Sequence, residues 1–526
     1  MENKVARFDL TLLLGESEQG LGGSLEYNSC LFDDISIEQM MENYQVLLEA
    51  LVADPEQRVW DLPLHSAQPE PVRSDGDALS GFGSQVEGKS QTQFDLYERF
   101  ELQVRRTPLS PALVCGSEQL SYQELHERAS LLAEKLHEQG VGSGTPVGLA
   151  LERSLDQIVG LLAVLKGGGI VVPLVEEELR DALIDEACVR IALTRKDEAK
   201  FFRQRGLLCL CLEKGADFSH TLQALLPASE GAPSPFEQPA SEGQSSRAFA
   251  FLPRLVDPST EGPVGAYQAY EQVGTFLDHA LQQGWGSRIT AGSVWSLLSS
   301  THFIYELFLP LLAGGMAYLV PEERRLEGVA YSAWLSEQQI TSAYVPALLL
   351  PALLRSARAG HLSLLRLLLT QAQAYPEQCL VELQEHLPEV LICNGYGSSD
   401  TGMWRTLYTL RPLSEPHRVT PVGRPYGSDQ VLLLDTFLHP VPRGVIGELY
   451  IKQAEADLRD NTDSKARSSP AHTFDLEGGR LSRTGAYARL LLDGNLELIG
   501  LKEHSLDVQG LRVWPAESTA LLAAQP

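Results

Sequence analysis

The sequence predicts an α/β fold with doubly wound parallel sheets, on two observations. From Gln93 onward, short apolar strand-like runs alternate with amphipathic helical stretches, and that alternation implies a parallel sheet covered by helices. The composition agrees: 44% of residues are hydrophobic and 21% charged, as in a globular protein. At 526 residues the chain exceeds one ordinary core, so more than one domain is expected.

The first 64 residues are predicted as strand, strand, helix. Arg7-Phe8-Asp9-Leu10-Thr11-Leu12 alternates as a strand does, and Gly22 to Leu31 forms a second. Ile37, Met40, Met41, Tyr44, Leu47, Leu48 and Leu51 recur at helical spacing. So short a segment buries too little to be a comfortable independent domain. Residues 65 to 92, rich in Ser, Gly, Pro, Asp and Gln, form a linker. A helix from Phe94 to Arg106 opens the alternation. Strands at Ala112 to Val114 and Leu120 to Tyr122 precede a helix from Gln123 to Gln139, stopped by Gly140. A strand at Pro146 to Leu151, a helix at Leu155 to Lys166 and a strand at Ile170 to Leu174 repeat the unit. Residues 226 to 246 are a Pro-, Ser-, Gly- and Glu-rich insertion. The apolar run Ala248 to Leu252 enters a turn of small and hydroxyl-bearing residues, Asp257 to Gly265, and such turns can wrap a phosphate. Leu367 to Leu369 is a further strand, and Lys452 to Arg480 is polar and irregular.

Net charge is −27. That disfavours nucleic acid and anionic membrane as partners, since both need clustered Lys and Arg. The seven cysteines are scattered, odd in number and without zinc spacing, so core thiols are expected. Cys209 and Cys211 stand two apart in a strand-like run and should share one face. No signal peptide is visible and no apolar run reaches transmembrane length, so a cytoplasmic protein is expected.

Several motifs stand in one order. Leu120-Ser121-Tyr122-Gln123-Glu124-Leu125 matches L-S/T-Y-x-E-L. Leu165 to Leu174 matches L-K-A-G-G-A-Y-V-P-L, and Glu306 to Gly315 matches E-x-F-x-P-L-L-x-G-G. Asn394 to Asp400 follows N-x-Y-G-P-T-E, and Pro421 to Pro425 and Gly447 to Ile451 match two more patterns. Over residues 93 to 520 the chain thereby resembles the AMP-forming adenylation domains of nonribosomal peptide synthetases, in the acyl-adenylate-forming superfamily. The resemblance implies a large core of doubly wound sheets with a small β-barrel-like part. Within residues 1 to 64, R-F-D-L-T, S-L-E-Y-N and D-L-P-L resemble the last strands and helix of a condensation domain, whose catalytic histidine motif lies upstream in that family. The implied domains are a condensation piece at 1–64, the linker at 65–92, an adenylation-like core at 93–499, and a hinge with the start of a truncated C-terminal subdomain at 500–526.

Adenylation joins a carboxylate to the α-phosphate of ATP, so an enzyme must offset repulsion between anions and hold them in line. The residues that the family uses for this are largely replaced. In the phosphate loop Ser259, Thr260, Pro263 and Gly265 match, with Gly262 between them. The leading T-S-G has become Val256-Asp257-Pro258, the second glycine is Glu261 and the lysine is Val264. Pro258 has no N–H to offer a phosphate. A carboxylate 4 Å from a phosphate charge repels it by ~1 kcal/mol in water and ~4 kcal/mol at an effective dielectric of 20. In the nucleotide region Tyr396 and Gly397 persist, and Ser399 keeps a hydroxyl. Asp400 replaces a glutamate and keeps a carboxylate for Mg²⁺. The ribose-binding aspartate is Ala486, and the aspartate that pairs the substrate ammonium falls on Thr301. His302, Tyr305, Gly395, Met403 and Trp404 fall on pocket-lining positions, a pocket partly filled by aromatic bulk. His302 is read as a packed or solvent-facing residue rather than a catalytic one. The hinge pattern G-R-x-D is Gly500-Leu501-Lys502-Glu503. About two dozen residues follow, where a full subdomain needs roughly a hundred. The family's catalytic lysine is therefore expected to be absent, and no catalytic residue is assigned.

These residues imply a degenerate adenylation domain, catalytically inactive, that serves as a structural and docking part of a synthetase while carrier loading happens elsewhere. Its partners would be condensation and peptidyl carrier domains, and it would need neither ATP nor Mg²⁺. The alternative is an active or trans-complemented enzyme that uses ATP and Mg²⁺ to adenylate an amino acid or a carboxylic acid lacking an α-amino group.

Overall fold

The structure, a computed structural model, describes residues 8–17, 20–29, 32, 34–59, 62, 95–213, 223–225, 248–253, 265–372, 375–397, 404–411, 417, 419–426, 430–454, 473–476, 479–508 and 511–514. The linker at 65–92 and the insertion at 226–246 lie outside them.

Local chemistry accounts for the elements that the motifs mark. Ser121 caps the helix Tyr122–Glu138. Its hydroxyl accepts from the Glu124 N–H at 3.2 Å, and the Glu124 carboxylate accepts from the Ser121 N–H at 2.8 Å. Tyr122 then reaches across the core, its hydroxyl 2.8 Å from the Leu311 carbonyl and 2.7 Å from that of Gly315. Glycines let the chain leave each central helix directly into a strand. Gly168, after the helix Leu155–Lys166, takes φ +72°, and Gly314, after Thr301–Ala313, takes φ +83°. A side chain would strain both.

Among the described residues the strands form two large sheets and three smaller ones. The seven-stranded sheet runs Gly265–Ala269, Ala248–Pro253, Ile170–Pro173, Pro146–Ala150, Ile191–Thr194, Leu208–Cys211, Gln223–Leu225. The nine-stranded sheet runs Arg424–Pro425, Thr406–Thr409, Leu391–Tyr396, Leu367–Thr370, Ser342–Tyr344, Ala291–Val294, Met316–Leu319, Pro111–Cys115, Glu118–Ser121. The central strands of both are parallel and the outer ones antiparallel, as the alternating pattern predicts. One apolar core joins them. Leu149, Val171 and Leu193 of the first sheet and Leu113, Val294 and Leu367 of the second pack with the helices Leu96–Arg106, Tyr122–Glu138, Leu155–Lys166 and Thr301–Ala313.

The third sheet is built on the long strand Gly479–Leu490, which pairs with Gly447–Ala454, Thr473–Leu476 and Leu496–Leu501, while Gln430–Leu434 pairs with Gly447–Ala454. The expected barrel-like part is thus an open sheet among the described residues, because its outer strands Gln430–Leu434 and Thr473–Leu476 sit on opposite edges. It meets the nine-stranded sheet where the Val422 N–H donates to the Leu496 carbonyl at 2.7 Å. At the N-terminal end, the strands Leu10–Ser17 and Gly20–Tyr27 pair antiparallel and the helix Asp34–Ala53 follows.

Two further expectations need correction. Lys452 to Arg480 is not irregular throughout: backbone pairing with Gly479–Leu490 extends one strand to Ala454 and makes another of Thr473–Leu476. Nor are all the cysteines core thiols, since Cys188 is exposed and Cys115 and Cys379 are half-buried. Cys209 and Cys211 do share the buried face expected of them. No described helix is long and apolar enough to cross a membrane.

Candidate functional site

The pocket residues converge at the C-terminal ends of parallel strands in the nine-stranded sheet, where α/β folds leave a crevice for ligands. His302 and Tyr305 lie on the first turns of the helix Thr301–Ala313, which follows the strand Ala291–Val294. Ser300 caps that helix, its hydroxyl accepting from the His302 N–H at 3.2 Å. Tyr344 ends the strand Ser342–Tyr344, and Gly395 stands near the end of Leu391–Tyr396.

Four of these side chains form a packed knot. The His302 ring centroid lies 4.6 Å from that of Tyr344, 5.4 Å from Tyr305 and 5.9 Å from Trp404. Tyr305 and Trp404 are 5.1 Å apart. Phe276 closes the back at 4.9 Å from Tyr305 and 5.6 Å from Trp404. These are contact separations for aromatic rings, so the rings occupy the space between the elements themselves. The Tyr426 hydroxyl donates to the Trp404 carbonyl and holds that residue in place. Among the described residues, the Tyr305 hydroxyl and Trp404 Nε1 are buried without a hydrogen-bond partner.

The electrostatics of the knot are neutral. His302 as a residue is half-buried, but its Nε2 is inaccessible to water. Burial pushes its pKa down to about 4, opposed by the nearby Gln371 side chain, so the ring is uncharged at neutral pH. Burial likewise pushes the Tyr305 hydroxyl far up. Thr301 contributes a half-buried hydroxyl and no charge. The one acid on this part of the helix, Glu306, is spent elsewhere. Its carboxylate accepts from the N–H of Trp295 and Ser296 and from the Ser296 hydroxyl. Burial pushes its pKa up to about 7 against those hydrogen bonds. Sequence reasoning identified His302, Tyr305, Gly395 and Trp404, and missed Tyr344, Phe276 and Tyr426. A tyrosine at the C-terminal end of a buried parallel strand was the available signal for Tyr344.

Two residues of the expected nucleotide region, Tyr396 and Ala486, are buried in apolar surroundings. Tyr396 is 2% exposed and Ala486 0% exposed, and both belong to one apolar cluster with Val422, Val431, Leu449 and Ile451. The Ala486 methyl group offers no acceptor to sugar hydroxyls, and a hydroxyl buried there without a partner costs roughly 1–3 kcal/mol. The Gly397 carbonyl is occupied by Gln371 Nε2 at 3.2 Å. Ser259, Thr260, Glu261, Gly262, Val264, Ser399, Asp400 and Met403 lie outside the described residues. Gly265 opens the strand Gly265–Ala269, paired with Pro253 across the ends of the loop. Among the described residues no group of three or more His, Cys, Asp or Glu is placed to hold a metal ion. Beyond the small sheet, Trp514 folds back on Gly500: a Cβ there would lie 2.5 Å from its ring.

Known proteins share both sequence and fold with this chain. Residues 100–244 and 270–456, more than half of the chain, match the family described as AMP-binding enzyme. A linear gramicidin synthase of Brevibacillus parabrevis is 28% identical over 543 residues, covering 99% of this chain and 10% of that protein. Phosphinothricin tripeptide synthetase PhsC of Streptomyces viridochromogenes is 29% identical over 532 residues, covering 99% of this chain and 46% of that protein. The chain therefore spans less than half the length of either relative. A four-domain nonribosomal peptide synthetase, holo-AB3403 bound to AMP and glycine, shares the fold with a TM-score of 0.74 at 23% identity, over 97% of this chain and 36% of that one. The nonribosomal peptide synthetase FmoA3 does so with a TM-score of 0.71 at 21% identity, over 94% and 52%. By fold and by sequence, the chain belongs to the AMP-binding enzyme family.

Proposed function

We propose that this chain is an adenylation-type domain of a nonribosomal peptide synthetase that no longer activates an amino acid. It acts as a structural and docking part of the assembly, and another module or enzyme loads the carrier protein. The observation that carries this reading is the filled pocket: Trp404 lies on Gly395 among His302, Tyr305 and Phe276, where a substrate side chain would have to enter. Thr301 and Ala486 support it, because neither can supply the charge that an ammonium or a ribose would need. Residues 1–64 are then a C-terminal piece of a condensation domain, 65–92 a linker, 93–499 the adenylation-like core and 500–526 the hinge region. Alignment of relatives from longer synthetases over 99% of the chain supports that setting and makes condensation and carrier domains its expected neighbours. We place the protein in the cytoplasm and expect no nucleic-acid partner.

The test is ATP–pyrophosphate exchange with each proteinogenic amino acid. Exchange no higher than a protein-free control is expected, and robust exchange with any amino acid overturns the reading. A second reading is favoured by Thr301: without an acid at that position, a carboxylic acid lacking an α-amino group would suffer no loss. Calorimetric titration with ATP separates the two, since micromolar binding would favour the active enzyme.

A further inference from the structure

Away from the aromatic knot, Glu377, His417 and Asp493 form a chain of ionisable groups across the junction of two sheets. Glu377 is the first residue of the helix Glu377–His386 and is 0% exposed. Its carboxylate accepts from the Tyr408 hydroxyl at 2.5 Å, from the His417 backbone N–H at 2.5 Å and from His417 Nδ1 at 2.7 Å. The other ring nitrogen, Nε2, lies 3.1 Å from Asp493 Oδ2. Ionised carboxylates only accept hydrogen bonds, so both contacts are made together only by a doubly protonated imidazolium.

The three residues belong to different bodies. Glu377 heads a helix packed on the nine-stranded sheet, whose strand Thr406–Thr409 brings Tyr408. Asp493 sits in the turn between Gly479–Leu490 and Leu496–Leu501 of the small sheet. Arg424 donates to the Asp493 backbone carbonyl, and Asn495 donates to its carboxylate at 3.0 and 2.7 Å. Among the described residues, the charged and titratable groups around the ring are therefore Glu377, Tyr408 and Asp493, with Arg411 near Tyr408 and Arg424 bonded to the Asp493 carbonyl. Besides this ring, the junction is held by the Arg424 bond to Asp493, by the apolar cluster that joins Tyr396 and Val422 to the small sheet, and by backbone bonds from the Val422 N–H to the Leu496 carbonyl and from the Leu496 N–H to the Gly423 carbonyl.

We propose that His417 is a proton-operated clasp: as an imidazolium it ties the small sheet to the nine-stranded body, and on losing a proton it releases one carboxylate and loosens that junction. The junction closes over Tyr396 and Ala486, so the clasp governs how tightly the region corresponding to the family's nucleotide site is shut. The inference rests on the fold and stands whether or not the domain is active. The hydrogen bond to Glu377 is the foremost cause that raises the His417 pKa, with burial opposing it. A histidine raised on folding stabilises fully below its unfolded value, about 6.5, and that contribution is lost as pH rises through the folded value. Loosening is therefore expected on the alkaline side, and Tyr408, held protonated by burial, stays a donor throughout.

The test uses the full chain. Hydrogen exchange of backbone amides in Leu496–Leu501 and at Val422, corrected for intrinsic exchange, is measured at about pH 6 and at about pH 9, below and well above the unfolded histidine value of about 6.5. Wild type should lose protection at the higher pH, about tenfold for each pKa unit by which folding raises His417. His417→Gln should show the same protection at both. NMR of carbon-13-labelled histidine should give His417 a pKa above 6.5, and Asp493→Asn should lower it. Equal protection in wild type at both pH values, a His417 pKa at or below 6.5, or no change in Asp493→Asn overturns the clasp. The wild-type measurements decide by themselves if a variant fails to fold.

Discussion

A Cβ added to Gly395 would sit 2.2 Å from the ring of Trp404, so the indole lies directly against the Gly395 backbone. Glycine is required there by close approach rather than by turn geometry, because Gly395 is inside a strand. Gly395→Ala should destabilise the protein by roughly 1–3 kcal/mol, the range for overpacking a tight core. In a Trp404→Ala background the same change should cost little, so a double-mutant cycle followed by thermal denaturation should show strong coupling. Additive effects would mean that the two residues do not pack together.

The neutral His302 makes stability sensitive to acid. Its folded pKa of about 4 lies below the unfolded value. The contribution is thus present above about pH 6.5 and is lost as pH falls toward 4, by about 3 kcal/mol at most. The difference in melting temperature between wild type and His302→Phe should narrow or reverse between pH 7 and about pH 4.5. A constant difference would mean that His302 titrates alike in both states.

Ala486→Asp installs the carboxylate that the proposed reading takes to be missing, but in an apolar cluster. It should destabilise the domain by about 3 kcal/mol, the cost of burying a polar group without partners, and should not create ATP binding. Calorimetric titration with ATP checks this. Micromolar binding by that single variant would mean that the enclosure around Tyr396 opens readily, against the proposed loss of function.

The motifs of the sequence were legible because each depends on neighbours a few residues away. Ser121 and Glu124 cap one helix, and Gly168 and Gly314 end two others. Cys209 and Cys211 share a face because strands alternate. The pocket was legible in part, since His302, Tyr305, Gly395 and Trp404 follow from motif positions. That these rings pack against one another in one knot was not, because Phe276, Tyr344 and Tyr426 arrive from separate elements. The strand at Thr473–Leu476 was missed for a similar reason. A polar segment becomes a strand when a long partner strand lends it a hydrogen-bonding edge, and its own composition does not announce that.

By itself, then, the sequence determined the α/β class, the order of the core elements and the presence of uncharged residues at Thr301, Val264 and Ala486. Those are matters of residue identity and local periodicity. Only the tertiary structure decided that Glu306 faces backbone N–H groups instead of the pocket, that Trp404 lies on Gly395, and that His417 bridges Glu377 and Asp493. Each of these joins residues far apart in the chain. Their distances are set by how two large sheets and one small sheet pack, and no spacing within a single segment encodes that packing.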